Sequence, residues 1–405
     1  MVSFVEQNKM SGPRLNRIIR RTALAAVVGT LCNQILPSEN AFGADSVKQA
    51  VRVSDLPYVN ENGFSGVQPV SYNYNTSDSY STSESYLDPN AGCGVSTSEC
   101  CAPRCTPWWA HRTGIFGEVL YLNAGNSDLI YALEQTGPVG APSPTGPLGI
   151  SNIGAHTGFR VGGSLAHSDC SSLWTSFTRW DGQTTSTLQA TGTNVIKSLV
   201  IHPSVATTGA ASLDATAIQS ATFQYADVAL RRVYKSSANG VLNWNAGLRY
   251  GNMEQGLSAD QITSVATGTT NVTTDIDFNG FGILGGLDGE RRSADTQLFV
   301  YGRAFGSLLA GDWKADYTQT NQFGGGVIAN TYKDFRVSPV VDTEVGLGWQ
   351  NCSGKFRVTT GYLFSTWFNT VTTRDYIQSV RTASLLNMDD NLTFSGLTLR
   401  ADLRF

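Results

Sequence analysis

The sequence predicts an all-β fold, an antiparallel transmembrane β-barrel of about 10–12 strands, over residues 113–405. Three observations support this prediction. Short runs alternate apolar and polar residues with the period of two that is typical of strands with one apolar face. The connections between the runs alternate between short and long, as in membrane barrels with tight turns at one end and long loops at the other. Charged residues make up only 15% of the chain, against about 25% in soluble proteins.

The alternating runs have a clear polar face and a clear apolar face. In the run at 158–165, Phe159 and Val161 share one face and Arg160 lies on the other. Comparable runs lie at 242–250, 298–308, 334–349, 356–364 and 397–405. A tilted strand needs about 9–11 residues to cross a bilayer, and by that length the count over the whole segment 113–405 comes to about ten crossing strands. The alternative count is twelve, if Asn194–His202 forms half of another hairpin.

The connections decide between a barrel and a soluble sandwich. We predict short turns near His167–Ser171, Ser236–Gly240, Asp288–Asp295 and Gln350–Gly354. Long loops are expected at 125–155, 181–219, 254–272, 311–330 and 369–390. Five tryptophans lie near strand ends, which favours interfacial aromatic girdles. They are Trp174, Trp180, Trp244, Trp349 and Trp367.

The first 112 residues differ from the rest. Arginines 14, 17, 20 and 21 precede an apolar stretch at Thr22–Leu31, which is the pattern of a secretory signal peptide over residues 1–43. A lipoprotein signal at Cys32 is weaker, because Leu31 stands where a small residue is expected. Residues 44–112 are rich in serine and cysteine, so we expect a flexible, disordered segment. The predicted organisation is therefore signal peptide 1–43, flexible segment 44–112 and barrel 113–405.

Six cysteines follow the predicted signal peptide, and an exported chain meets an oxidising compartment. The disulfide candidates are Cys93, Cys100, Cys101, Cys105, Cys170 and Cys352. Sequence does not choose among their 15 pairings. Cys170 and Cys352 fall in predicted short turns, so we expect them on the same side as the cysteine-rich segment, linked to it or to a neighbouring molecule.

The polar faces of the runs carry charged residues that a barrel would place inside. The predicted pore-lining residues are Arg160, Arg249, Arg303, Arg336, Asp342, Glu344, Arg357, Arg400, Asp402 and Arg404. Asp334 belongs with them, and Glu118 and Asp227 are less certain. Such groups either line water or pair into a network that fills the barrel. Small inward residues such as Gly158, Gly162 and Thr398 favour water, and the excess of arginine favours weak anion preference.

Other classes of site are poorly supported. The G-x-G-x-x-G pattern at 280–285 lies inside a strand run, whereas a dinucleotide site needs a following helix. The histidines, at 111, 156, 167 and 202, show no metal-ligand spacing. A net charge of −4 gives no reason to expect nucleic-acid binding. We therefore expect no cofactor, no metal and no catalytic residues, so that the chain is not an enzyme.

Seven segments of the barrel resemble a known family, the pore-forming major outer membrane proteins of the Legionella type. They are GIFGEVLYLNAGNSDLIYAL (114–133), GFRVGGSLAHSDCSSLWTSFTRW (158–180), LNWNAGLRYGNMEQ (242–255), FNGFGILGGLDGERR (278–292), LFVYGRAFGSLLAGDW (298–313), GYLFSTWFNTV (361–371) and LTFSGLTLRADLRF (392–405). The resemblance covers residues 113–405. It implies an outer-membrane barrel that forms a pore and, in some members, serves surface adhesion.

The expected function is a narrow passive channel for small solutes in the outer membrane. The alternative is a structural or adhesive surface barrel with a closed lumen and functional outer loops, and a membrane-embedded hydrolase ranks third. Leu403 and Phe405 close the last strand, and resemblance to known barrels makes them the signal for the barrel-assembly machinery. The expected partners are outer-membrane lipid, that machinery and small solutes; a homo-oligomer is left open.

Overall fold

A computed structural model describes residues 110–137, 143–204, 212–264, 268–293, 296–322, 326–385 and 388–405. The predicted signal peptide and all of the predicted flexible segment before residue 110 lie outside the described residues. Within the described part of the chain, no helix combines the length and apolar character needed to cross a membrane. The strands are β1 (Gly114–Gly125), β2 (Leu129–Thr136), β3 (Pro144–Ser151), β4 (Ala155–Ser168), β5 (Ser171–Gln189), β6 (Asn194–Ser198), β7 (Asp214–Ser236), β8 (Gly240–Ser264), β9 (Gly268–Arg292), β10 (Leu298–Asn321), β11 (Val327–Gln350), β12 (Phe356–Thr370) and β13 (Asp390–Arg404). One helix, α1, spans Thr373–Thr382.

Ten of these strands form a closed antiparallel barrel, which confirms the predicted fold. Their order around the wall is β1-β13-β12-β11-β10-β9-β8-β7-β5-β4. β1 closes the barrel because it pairs with β13 on one side (Ile115 opposite Leu403) and with β4 on the other (Ile115 opposite Gly163). The short turns and both barrel termini lie at one end, called here the periplasmic end, and the opposite end is called the outer end.

The strands differ greatly in length. β7 to β11 have 23–25 residues, whereas β1, β4, β12 and β13 have 12–15. Since about 9–11 residues cross a bilayer, the long strands continue well beyond it. The long loops expected at 254–272 and 311–330 are therefore wrong: β8, β9, β10 and β11 run through them, with connections only at 265–267 and 322–326. The ninth strand also continues to Arg292, past the turn predicted from Asp288.

Three insertions cover the side of the outer end where the wall is low: β2 with β3 between β1 and β4, β6 between β5 and β7, and α1 between β12 and β13. The connection between β1 and β4 contains β2 and β3, which form a separate three-stranded sheet with β6 in the order β3-β2-β6. Asn194–Ser198 therefore belongs to this sheet and adds no barrel strand. The expected loop at 369–390 contains α1. Buried residues of all three insertions pack in one apolar cluster with residues of the barrel wall.

The polarity of the two faces reverses along a single strand. On β10, Leu298, Val300 and Leu308 point outward and are exposed, whereas Arg303 points inward and is buried. Further along the same strand, the inward residues include Trp313 and Tyr317, both buried. The outward residues there are Asp312, Lys314 and Asp316. Residues level with β10 298–310 are called the membrane half, and those level with 311–321 the outer half.

The tryptophans follow this reversal and correct the predicted girdle. Trp244 and Trp349 lie on the outward face, and Trp349 is exposed to the surroundings of the barrel. Trp174, Trp180 and Trp367 lie inside and are buried. Proximity to a strand end does not decide which face a side chain occupies. The alternation does, because Trp174 and Trp180 share their parity with the inward residues Ser176 and Thr178 of β5.

Candidate functional site

The barrel lumen contains nearly all of the charged residues that the sequence analysis selected. Nine of the ten predicted pore-lining residues lie on the inner face of the membrane half: Arg160, Arg249, Arg303, Asp342, Glu344, Arg357, Arg400, Asp402 and Arg404. The tenth, Arg336, also faces inward but lies at the border with the outer half. There its Nε donates to Asp334 Oδ2 (2.8 Å) and its Nη1 to the carbonyl of Met388 (2.6 Å).

A central group of ions surrounds Glu344 on β11. Arg160 Nη1 lies 2.8 Å from Glu118 Oε1 and 3.3 Å from Glu344 Oε2. Arg303 Nη1 lies 3.2 Å from Glu344 Oε2. The hydroxyl of Tyr301 donates to the other oxygen of Glu344 at 2.7 Å. Glu118, one of the two uncertain acids, therefore faces inward and belongs to the network.

A second group surrounds Arg249 on β8. Its Nε lies 2.7 Å from Asp227 Oδ1, and its Nη1 lies 2.5 Å from Asp342 Oδ2. Ser365 donates to the other oxygen of Asp342 at 2.5 Å. The guanidinium also lies over the ring of Tyr225, 4.2 Å from its centroid. Because both carboxylates and the cation are buried, each charge depends on the others for its solvation.

The periplasmic layer contains four charged residues that the sequence analysis missed. Arg231 forms a forked pair with Asp288, with distances of 2.8–3.1 Å, and Asn245 Nδ2 donates to the same carboxylate at 2.6 Å. Arg357 Nη1 donates to Glu290 Oε2 at 2.6 Å, and Arg292 Nε donates to Oε1 at 2.5 Å. Arg231 could have been predicted by extending the alternation of β7 from Asp227. Asp288, Glu290 and Arg292 were missed because they lie in the segment Asp288–Asp295, which was predicted to be a turn.

These additions change the expected charge balance of the lumen. Among the described residues of the membrane half, the inward arginines are Arg160, Arg231, Arg249, Arg292, Arg303, Arg357, Arg400 and Arg404. The inward acids are Glu118, Asp227, Asp288, Glu290, Asp342, Glu344 and Asp402. Eight cations face seven anions, so the expected excess of seven arginines over four acids is wrong. Nearly equal numbers of inward cations and anions are what a network of ion pairs requires.

An aromatic layer lies above the ions and spans the lumen. Tyr225 on β7 stacks on Trp367 on β12, with centroids 5.4 Å apart and planes inclined by 16°. These strands stand on opposite walls, since five positions separate them in the ring of ten. Phe223 on β7 meets Phe394 on β13 at 4.5 Å. Trp180, Phe278 and Trp313 extend the layer, with centroid distances of 4.7–5.9 Å to their neighbours.

Inward glycines make room for rings rather than for water. A Cβ atom placed on Gly348 would collide with the ring of Phe299, and one placed on Gly361 would collide with the hydroxyl of Tyr301. Two cavities in the lumen have volumes of about 20 and 30 Å³. Since a water needs roughly 10–15 Å³ of such space, each accommodates one or two waters.

Helix α1 covers the outer mouth. Its Tyr376 hydroxyl donates to the carbonyls of Ala315 (2.9 Å) and Asn330 (3.1 Å), which bridges the helix to β10 and β11. Burial, followed by the nearby charge of Asp316, raises the pKa of Tyr376. On the other side, Gln255 of β8 donates to the carbonyl of Val371 and accepts from the amide of Thr373. Hydrogen bonds to β10 and β11 on one side of the mouth and to β8 on the other therefore hold α1 in place.

The remaining predicted residues lie at the periplasmic end. Leu403 and Phe405 point outward and are exposed. The amide of Phe405 donates to the carbonyl of Thr113 at 2.9 Å. Cys170 and Cys352 lie in the β4–β5 and β11–β12 turns, both at this end. Cys93, Cys100, Cys101 and Cys105 lie outside the described residues, so the disulfides and the assembly signal stay predictions.

The chain is also similar to proteins of known structure. It covers 97% of the outer membrane protease OmpT from Escherichia coli with 73% of its own length, at a TM-score of 0.40 and 11% identity. The toluene transporter TodX from P. putida gives a TM-score of 0.30 and 9% identity, with 73% of this chain and 90% of that one covered. A FadL homologue from Pseudomonas aeruginosa gives 0.21 and 9%, with 73% and 90% covered. At these scores the likenesses carry no argument about function.

No curated protein matches the sequence. A family model does match, over residues 107–405, and its description is the Legionella pneumophila major outer membrane protein precursor. The match spans the whole barrel, including every strand described above. The chain therefore belongs to the family of the Legionella pneumophila major outer membrane protein and is a β-barrel of the outer membrane.

Proposed function

We propose that this chain is a structural or adhesive surface barrel with a closed lumen. Its membrane half anchors it in the outer membrane, and its outer half with the outer loops forms the functional surface. The stack of Tyr225 on Trp367 carries this proposal, because it joins opposite walls of the barrel by direct ring contact. Both side chains are buried. A solute that follows the lumen meets this layer and, below it, a paired ionic layer.

A passive channel remains the second candidate. Charged groups inside a narrow barrel are also what a water-filled pore presents. Here, however, the carboxylates are engaged by arginines at 2.5–3.3 Å around Glu344 and Arg249, and two cavities between these charged residues have volumes of only about 20 and 30 Å³. Conduction would need both the ionic and the aromatic layer to rearrange. The packing of the described residues therefore favours the closed barrel.

A hydrolase is the third candidate, and one constellation invites it. His111 Nδ1 lies 3.0 Å from Ser172 Oγ, and His111 Nε2 lies 3.2 Å from Asn243 Oδ1. Serine, histidine and an amide in this order resemble a catalytic triad in outline. Burial, and then the charge of Arg231, lowers the pKa of His111 to about 3, which makes a poor general base at neutral pH. Ser172 is buried as well, and the adjoining 20 Å³ cavity has no room for an ester. We therefore propose a structural role for this cluster and no enzymatic activity.

Planar-bilayer recording of the refolded full chain tests the proposal. Heat-modifiable gel migration establishes first that the barrel is folded, and a general porin serves as the conducting control. We expect no conductance steps from the folded chain across the voltage range in which the control conducts. Reproducible steps from the wild-type chain would overturn the closed lumen and restore the channel.

A further inference from the structure

A groove indents the lipid-facing wall of the membrane half near its periplasmic end. Its volume is about 430 Å³, whereas the two lumen cavities described above have volumes of about 20 and 30 Å³. It lies over β1, β4 and β5, and it reaches Thr113 and Phe405 at the periplasmic end. None of its lining residues carries a charged side chain. The groove therefore suits an apolar ligand.

Gly163 forms the floor of the groove. It lies on the outward face of β4, with Val161 and Leu165 on either side of it along that face. Its cross-strand partners are Ile115 on β1 and Thr175 on β5. Since Cβ atoms of cross-strand partners lie about 4.5–5.5 Å apart, four side chains surround a position that has none. The register of β1, β4 and β5 therefore creates the depression.

The walls of the groove project from the barrel. The exposed fraction is 55% for Ile115, 64% for Leu165 and 75% for Phe405. Leu165 pairs with Leu173 beside the β4–β5 turn, and both line the groove. These side chains extend into hydrocarbon, because the chain is a barrel of the outer membrane. The groove is thus continuous with the lipid-facing surface.

We propose that this depression, the lipid groove, binds one acyl chain of a phospholipid from the periplasmic leaflet. Hydrocarbon already surrounds the groove, so transfer out of water does not drive the binding. Contact drives it instead: an empty depression deprives its lining of dispersion partners, whereas a chain seated over Gly163 touches side chains on several sides. The periplasmic leaflet supplies the chain because the groove begins beside Thr113 and Phe405. The inference holds for an open or a closed lumen, since the groove lies outside the barrel.

Native mass spectrometry of the full chain, extracted from outer membranes in mild detergent, tests the lipid groove. We expect each wild-type chain to retain one phospholipid. Gly163→Leu fills the floor and should lose most of it. Gly306→Leu is the matched control, because Gly306 lies on the outward face of β10 in the membrane half and a Cβ atom there meets nothing within 4 Å. This control should retain the lipid as the wild type does, and heat-modifiable migration shows that both variants are folded.

A second measurement keeps the proposal testable if Gly163→Leu fails to fold. Crystals of the unmodified chain grown with a phospholipid brominated along its acyl chains should show anomalous peaks over Gly163, between Ile115 and Thr175. Wild-type chains without phospholipid, full retention by Gly163→Leu, or crystals without these peaks would overturn the proposal. Lipopolysaccharide in place of phospholipid would overturn it by assigning the wrong leaflet, and a lipid-free dimer would do so by assigning the groove to a second copy of the chain.

Discussion

The membrane half and the outer half of this barrel carry their apolar residues on opposite faces of the same strands. On β10, Arg303 points into the lumen and Leu308 toward lipid. Ten residues beyond Arg303, or about 33 Å at a rise of about 3.3 Å per residue, Trp313 points inward and Lys314 outward. The first arrangement suits a hydrocarbon surrounding and the second suits water. The comparison teaches that alternation fixes which residues share a face, while the surrounding solvent fixes which face is apolar.

The two halves also fill the lumen by different interactions. In the membrane half, paired charges such as Arg249 with Asp227 and Asp342 satisfy one another. In the outer half, rings and aliphatic side chains pack as in a soluble core, with Trp313 and Phe278 4.7 Å apart. Four changes, from the largest expected effect to the smallest, test this division.

The first change removes the acid at the centre of the periplasmic layer. Asp288→Ala should destabilise the folded barrel by about 5 kcal/mol, because Arg231 keeps its buried charge and loses its forked partner. Two buried amides, Asn243 and Asn245, lose their acceptor as well. Urea unfolding of the refolded chain measures the effect. The exposed acid Asp181, paired with Arg179, provides the control, and Asp181→Ala should cost less than about 1 kcal/mol. Equal costs at the two positions would show that the ionic layer is solvated.

The second change opens the aromatic layer. Trp367→Ala should cost about 4 kcal/mol, since it removes a fully buried ring that packs on Tyr225 and Phe278. Trp349→Ala, at an outward and exposed position, is the matched control and should cost clearly less. The same unfolding measurement applies. A loss of less than about 1 kcal/mol for Trp367→Ala would mean that no packed layer exists.

The third change places a charge on the outward face of β10 at two heights. Ala304→Arg lies near the middle of the apolar band and should cost about 3 kcal/mol in lipid vesicles. Thr320→Arg lies on the same face in the outer half and should change stability by less than about 0.5 kcal/mol. Similar costs for the two variants would contradict the proposed border between the halves.

The fourth change concerns pH at the periplasmic mouth. The pKa of His111 is lowered to about 3 in the folded chain, so below about 6.5 the unfolded chain binds a proton that the folded chain does not. Stability is therefore fully present above pH 6.5 and is lost as the pH falls. Between pH 7 and 5.5 the loss should be about 1 kcal/mol. His111→Gln should flatten this part of the profile, and an unchanged slope would show that His111 is protonated when folded.

The sequence predicted the barrel and most of its inner face because strand alternation is a local property. Arg160, Arg303 and Glu344 were found from the parity of their own runs. The outer half was missed because its inward positions include small residues, such as Ala215, Ala217 and Ala259, and its polar face resembles a loop. Asp288 and Glu290 were missed since a strand end cannot be separated from a turn by composition alone.

The closure of the lumen depends on contacts between strands that are far apart in the sequence. Tyr225 on β7 and Trp367 on β12 have four whole strands, β8 to β11, between them in the chain, yet they meet across the barrel. Period two places each of them inward and says nothing of its partner. For the same reason the inward Gly158 suggested space for water, whereas Arg179 and Trp180 of the neighbouring strand β5 lie where its Cβ atom would be.

Fluorine NMR of the chain labelled with 5-fluorotryptophan tests the central claim, a lumen closed to both lipid and water, most directly. Single Trp→Phe variants assign the signals, and two relaxation agents are added in turn, a spin-labelled lipid and a water-soluble gadolinium chelate. We predict that the lipid agent broadens Trp244 and Trp349, and that neither agent broadens Trp180, Trp313 or Trp367. Broadening of Trp180, Trp313 or Trp367 by the gadolinium chelate would show an open lumen and contradict the account.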